Sequence, residues 1–292
     1  MRRKLTSIAE AAALVRSGDT VAVGGSLLRR QPMALLREVA RAGTTDLSLI
    51  TWASSLATDM LVGAGAVRHW EGIYVGLWWH GAAPSFRRAV ERGAVTVVDR
   101  SESYMTARLR AAAMGVPFLP VRPVLGAGVS EVGDLRGVVC PFTGDELLAV
   151  PAATPDVTVL HGYVGDEYGN VAWPAQRDSD DVDMLMAAGS RRLVVSVERI
   201  VPHEEIARTP NLTYIPHTKV DAICEAPFGA HPGSCDTVYD EDEPEIAAWS
   251  RAGRDPDAWP GYLERTALDL ADHDAYLDAV GRDRLERLAV GA

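Results

Sequence analysis

Short runs of apolar, β-branched residues alternate along this chain with amphipathic stretches that carry helix caps. Ser7-Ile8-Ala9-Glu10 has the spacing of a capping box and predicts a first helix over 7–17, closed by Gly18. Val21-Ala22-Val23 then reads as a strand that ends on Gly24-Gly25, and Pro32 opens a helix over 32–41 with Leu35, Leu36 and Val39 as its inward stripe. Strands follow at 47–51, 73–77 and 95–98, separated by helices around 59–62 and over 85–92. A helix over 103–114 is ended by Gly115. From 116 to 153 Pro and Gly punctuate the pattern, which predicts a strand-rich edge or a small subdomain. Alternation resumes with a strand at 157–160, a turn at 166–170, a helix over 180–188 and a strand at 193–197.

Helices alternating with buried strands define an α/β fold, a largely parallel sheet with helices on both faces. No internal repeat or flexible linker interrupts it, so one domain is expected over 1–292. After Cys235 the character changes. An acidic run, Asp236 to Glu245, leads into two amphipathic helices at 262–270 and 272–280, so 236–292 reads as an acidic, helical C-terminal extension. The acidic run itself reads as a solvated face. The helices after it either pack back on the domain or clasp a partner.

Charge and cysteine content narrow the class. A net charge of −11 argues against a nucleic-acid surface, which needs a basic stripe. No apolar run has the length to span a bilayer, and the basic Met1-Arg2-Arg3-Lys4 start lacks a signal-peptide core. Cys140, Cys224 and Cys235 are odd in number and far apart, which fits reduced thiols in the cytoplasm.

Candidate chemistry gathers where strands are expected to end. The Gly24-Gly25 pair before a helix start is either an oxyanion-type site or simply a tight turn with surface arginines. It is neither a Rossmann nor a Walker loop. Glu102, between the strand at 95–98 and the next helix, is either a nucleophile or base, or a carboxylate that steadies the helix's first turn. Glu198 also leaves a strand end and reads as a salt bridge with Arg199 or another arginine. His161 is either a satisfied core histidine or a cleft residue, and no set of residues has metal-ligand spacing around His231. Ser26, Ser54 and Ser55 lack the context of a nucleophile elbow. Trp78-Trp79, taken as strand residues, point to opposite faces, so one of them meets a cleft or a partner.

Gly18-Asp19, Val21-Ala22-Val23-Gly24-Gly25 and Pro32 resemble the signature of the family I CoA-transferases, which runs Asp-Gly, an apolar triplet, Gly-Gly-Phe and Gly-x-Pro. Val116-Pro117-Phe118-Leu119-Pro120-Val121-Arg122, Gly165-Asp166, Gly169-Asn170 and Val197-Glu198-Arg199-Ile200-Val201 extend the resemblance. Glu225-Ala226-Pro227-Phe228-Gly229-Ala230-His231-Pro232 and Ala271-Asp272-His273-Asp274-Ala275-Tyr276-Leu277 are similar to α subunits of the glutaconate type. Ser26 replaces the signature's Phe, and Arg30 stands at its second Gly. Arg29-Arg30-x-Pro32-Met33-Ala34 instead resembles the branch of ring-cleaving hydrolases that opens the last steroid rings.

The resemblance implies a CoA-transferase-type fold, a coenzyme A thioester as substrate with no bound cofactor, and a β subunit in an α2β2 heterotetramer. Transfer would run through a glutamyl intermediate. In most members the glutamate lies on β, whereas in the ring-cleaving branch it lies on α, at the place of Glu102. Gly24 and Gly25 would turn main-chain N–H groups on the thioester oxyanion. Arg29 and Arg30 would hold a substrate carboxylate, beside Ser26 and Ser54. A carbon–carbon hydrolase using Glu102 is the alternative within the class. A non-catalytic stabilising subunit is the alternative outside it, and a sugar-phosphate isomerase is disfavoured by the Gly-Ala-His-Pro block.

Overall fold

In the computed structural model, residues 1–123, 135–175 and 181–291 are described. The strands are β1 (Thr20–Val23), β2 (Leu47–Thr51), β3 (Ala53–Ser54), β4 (Val67–Gly72), β5 (Tyr74–Val75), β6 (Thr96–Asp99) and β7 (Phe118–Val121) in the first half. β8 (Arg136–Val139), β9 (Glu146–Pro151), β10 (Val157–Gly165), β11 (Val171–Ala172), β12 (Leu193–Ile200), β13 (Thr213–Ile215) and β14 (Ala222–Glu225) follow. The helices are α1 (Ile8–Ala12), α2 (Met33–Arg41), α3 (Leu56–Gly63), α4 (Pro84–Glu91), α5 (Glu102–Met114), α6 (Val182–Gly189) and α7 (His203–Arg208). The tail adds α8 (Glu243–Arg254), α9 (Ala258–Leu263), α10 (His273–Val280) and α11 (Arg282–Glu286).

Seven parallel strands form the central layer in the order β14-β12-β10-β1-β2-β4-β6. β11 and β13 extend it antiparallel from the far end of β10. Alternation along the strands sorts side chains between the two faces. Val21, Val23, Leu47 and Leu49 face a core built with α2, α3, α8 and α9, whereas Ala22 and Ile50 face Met105, Leu109, Val182 and Met186 of α5 and α6. The tail therefore packs back on the sheet through Ile246, Trp249, Trp259 and Tyr262. The Pro- and Gly-punctuated stretch forms a three-stranded antiparallel sheet, β7-β9-β8, as far as it is described.

Several expectations change. The first helix stops at Ala12, because the next N–H groups bond three residues back, Leu14 to Ala11 and Val15 to Ala12. The strand expected at 73–77 lies earlier, at β4, leaving only the two-residue β5. Polar Arg68, His69 and Glu71 hide that strand's apolar partners in the sequence. Trp78–His80 is a 3-10 turn, not a strand, so both tryptophans are exposed on one turn. The helix expected from Asp180 begins at Val182; Asp180 itself lies outside the described residues. The acidic run is not wholly solvated either: Asp242 is buried and caps α8 through the Glu245 N–H.

Candidate active site

Beyond the carboxyl end of β1, the glycine loop closes on itself. The Gly24 N–H donates to the Val159 carbonyl at 3.0 Å, and the Gly25 N–H donates to Asp183 Oδ1 at 2.8 Å. Both are thus committed inside the protein, which corrects their expected role as oxyanion donors. The need for glycine is steric. A Cβ on Gly24 would stand 2.2 Å from Leu160 Cδ2 and 2.7 Å from Asp183 Oδ1, and Gly25 has φ +80°.

Asp183, in the first turn of α6, also pairs with Arg30 at 2.6 Å, with both side chains buried. The Arg30 guanidinium lies 5.9 Å from the Tyr163 ring centre and 5.6 Å from that of Trp173. Arg30 is therefore an internal counter-charge, not the expected substrate ligand. Arg29 is different: its side chain is 38% exposed, 3.9 Å from Asp236, and it lines a cleft.

Ser26 closes the loop through its own backbone, exchanging hydrogen bonds with Arg29 at 3.0 and 2.9 Å. Ser54 is buried, and its Oγ accepts from Gln31 Nε2 at 3.0 Å and from the Thr58 hydroxyl at 2.7 Å. It braces the loop and has no open face for substrate. Gln31 Oε1 in turn accepts from the Ser55 hydroxyl and the Ala57 N–H, each at 2.9 Å, tying the loop to α3.

Glu102 opens α5 just past the carboxyl end of β6 and is exposed. Ser101 caps the helix, its Oγ accepting from the Tyr104 N–H at 3.3 Å. The loop before it is rigidly placed. The Arg100 N–H donates to the Gly72 carbonyl at 2.9 Å, and Glu71 holds Arg100 at 2.7 Å and Arg108 at 2.8 Å. Glu102 itself has no ion pair or side-chain hydrogen bond among the described residues. The turn after it packs Met105 with Ala22 and Val182, so Glu102 lies on the same side of the sheet as Asp183. The glycine loop, Arg29, Arg30, Ser26 and Ser54 thus form one bonded unit, and Glu102 stands at the same sheet edge outside it.

Glu198 is fully committed, and not to an arginine. Its carboxylate accepts from Phe228 N–H at 2.7 Å, Gly229 N–H at 3.2 Å and the Tyr239 hydroxyl at 2.9 Å, and it contacts His161 Nε2 at 2.6 Å. Arg199 pairs with Glu205 instead, at 3.4 Å. His161 is fully buried, with its other ring nitrogen 2.9 Å from Ser196 Oγ, which makes it a satisfied core histidine. One donor atom each from His161, Glu198 and Cys235 lies within 4.8 Å of the others. Burial pushes the Cys235 thiol well up, so it stays protonated, and both nitrogens of His161 already have partners. The trio is a structural plug, not a ready metal centre.

The sequence model of the coenzyme A transferase family matches residues 5–226. The chain belongs to that family. It is 32% identical over 295 residues to a subunit of the glutaconate CoA-transferase of Acidaminococcus fermentans, covering 94% of this chain and 91% of that one. It is 34% identical over 275 residues to the cholesterol ring-cleaving hydrolase IpdA subunit of Rhodococcus jostii, covering 90% and 91%. The crystal structure of the A. fermentans glutaconate coenzyme A-transferase superposes with a TM-score of 0.94 at 31% identity, covering 98% of this chain and 96% of that chain. The mixed α/β architecture expected from the sequence is thus the CoA-transferase fold. No helix among the described residues is long and apolar enough to cross a membrane.

In this CoA-transferase chain the Gly-Ala-His-Pro block locks the tail onto α2. His231 is fully buried, 2.6 Å from the Tyr276 hydroxyl and 3.1 Å from Asp242, which Arg284 also holds at 2.6 Å. Arg37 donates to the His231 carbonyl at 2.6 Å and lies 3.5 Å over the Tyr276 ring. These charge partners draw the Asp242 carboxyl down to about 2, against the pull of its burial.

His273, buried and bonded to the Pro227 carbonyl at 2.7 Å, is pushed down to about 4 by desolvation. A depressed folded value means the unfolded chain binds the proton first. This contribution is full above about 6.5 and is lost as pH falls through about 4, a change of about 3 kcal/mol. Asp59 has the opposite slope: burial raises it to about 6, so its contribution is lost as pH rises from about 4 to 6. His273→Gln removes only the first slope. Its unfolding free energy, measured in urea between pH 4 and 7, is expected to lose the histidine-dependent rise seen in the parent; an unchanged profile contradicts the assignment.

Proposed function

We propose that this chain is the α-type subunit of a heteromeric enzyme acting on an acyl-CoA thioester, with Glu102 as its reacting carboxylate. One observation carries the reading. Glu102 follows the end of β6 and Glu198 lies inside β12, near its carboxyl end, yet Glu198 is held by four partners, whereas Glu102 is exposed at a helix start. The names of the relatives as subunits support a second chain, a β subunit, and α2β2 is the assembly proposed with it. The enzyme would work in the cytoplasm and need no bound cofactor, because coenzyme A arrives as substrate.

In most members the resemblance puts the transferase nucleophile on β; in the reading proposed here that role falls to Glu102, whose carboxylate attacks the thioester carbonyl. The carbon–sulfur bond breaks, and CoA thiolate leaves behind an acyl-glutamyl anhydride. The thiolate then attacks the glutamyl carbonyl and releases the first acid, giving a glutamyl-CoA thioester. An acceptor carboxylate takes the CoA through the same two steps in reverse. Nucleophile and acceptor are the same functional group, so neither half is steeply uphill.

The 34% identity to the ring-cleaving hydrolase subunit favours a second reading, in which Glu102 takes a proton from water for carbon–carbon hydrolysis. Incubating the assembled enzyme with acyl-CoA and no acceptor acid separates the two. The transferase stalls within one turnover and resumes when a carboxylic acid is added. Continued consumption in water alone overturns the transferase reading in favour of the hydrolase.

A further inference from the structure

A cleft of about 600 Å³ opens beside the glycine loop, with Leu27, Leu28, Trp78 and Trp79 as its apolar walls. The two indoles are 49% and 63% exposed and meet edge to face, 6.0 Å apart. Isolated surface tryptophans need no explanation, but two of them walling one cleft form a patch that ordinary solvent-facing surface avoids. They are held in place. The Leu77 N–H donates to the Gly81 carbonyl at 2.7 Å, and Ser250 of α8 reaches the His80 carbonyl at 3.4 Å.

Part of the cleft's wall is acidic, with Asp240, Glu241 and Glu243 lining it. Arg29 is the cleft's own cation, and it lies 3.9 Å from a fourth carboxylate, Asp236. Among the described residues no cation pairs with Asp240, Glu241 or Glu243. Burial and the neighbouring charges of Glu243 and Asp240 raise the Glu241 carboxyl, so the wall repels itself in the free chain. Such a wall also repels the phosphates of coenzyme A and the carboxylate of an acceptor acid. A cation is what it complements. Indole faces attract guanidinium and ammonium groups, and their flat surfaces cover the aliphatic stems of Arg and Lys. The volume exceeds what one ammonium group fills.

We infer that this cleft is a docking surface for an Arg- or Lys-bearing segment of the partner subunit. The inference rests on the two-chain reading above and adds the face through which the chains meet. The test is a titration of this chain with the second chain of the wild-type complex, by native mass spectrometry or sedimentation at low and high salt. Glu241→Lys combined with Glu243→Lys is expected to weaken association at least tenfold and to flatten its salt dependence. Trp79→Ala weakens it at both salt concentrations, and Asp274→Lys, a reversal at an exposed side chain of α10, leaves it unchanged.

Circular dichroism melts confirm that the variants fold, and the paired Gln substitutions at 241 and 243 supply a milder version with a smaller loss. Association of the double reversal at parental strength overturns the docking surface and leaves the two-chain reading standing. Failure of any second chain to assemble with the parent overturns both. Quenching of the tryptophans by spermidine, with association unaffected by every variant, assigns the cleft to a small cationic ligand and likewise overturns the inference.

Discussion

Glu102→Gln, assembled with its partner chain, is expected to lose about a thousandfold or more in kcat with little change in KM. The amide keeps the size of the carboxylate and has no charge with which to attack a thioester or take a proton. Folding does not confound the result. Glu102 is exposed at the first position of α5, and the Ser101 cap and the Glu71 pairs with Arg100 and Arg108 do not involve it. Loss of the charge at the helix start costs a few tenths of a kcal/mol, about 1 at most. Thermal melts of the variant should overlay the parent while steady-state turnover collapses. Turnover within a few-fold of the parent would remove Glu102 from the chemistry and leave the reacting carboxylate on the other chain.

Asp183→Ala is expected to have the largest effect on stability, about 4 kcal/mol in denaturant titration. The substitution strands the buried Arg30 guanidinium and leaves the Gly25 N–H without its acceptor. Asp183→Asn restores an acceptor for Gly25 but no charge for Arg30, so it should fall between Ala and the parent. Adding Arg30→Met to Asp183→Ala should recover much of the loss, because the unpaired charge goes with it. A single Ala variant within about 1 kcal/mol of the parent would mean that the pair does not hold the loop. The consequence reaches the site, since Asp183 fixes the turn from which Arg29 and Leu28 enter the cleft.

These two residues differ in how plainly the sequence displays them. Glu102 is visible because its signals are local: β-branched residues before it, a cap at Ser101 and a left-handed Gly115 at the far end of α5. The same locality makes β1, β2, β6, α2 and α5 legible to within a residue or two. Asp183 has no local mark. It looks like any acidic residue in a helix's first turn, and its partners are 153 and 158 positions away. Glu198 and Asp242 are obscure for the same reason, since an acidic residue beside arginines reads as a salt bridge, and one among other acids as solvated, until the fold brings His161, Tyr239, His231 and Arg284 to them. The strand β4 is hidden by its polar positions, and the Trp78–His80 turn is hidden by residues that favour strands. The glycine pair is visible but misleads. Its backbone freedom serves the close approach of Leu160 and Asp183, which no spacing rule conveys.

Peptide mapping of the assembled enzyme after brief exposure to acyl-CoA tests the central claim most directly. A glutamyl-CoA thioester adds the mass of coenzyme A, less one water, to the peptide that carries the glutamate. The account predicts that this mass falls on the peptide of this chain containing Glu102 and vanishes in Glu102→Gln. The same adduct on a glutamate of the partner chain, with Glu102 unmodified, would contradict it.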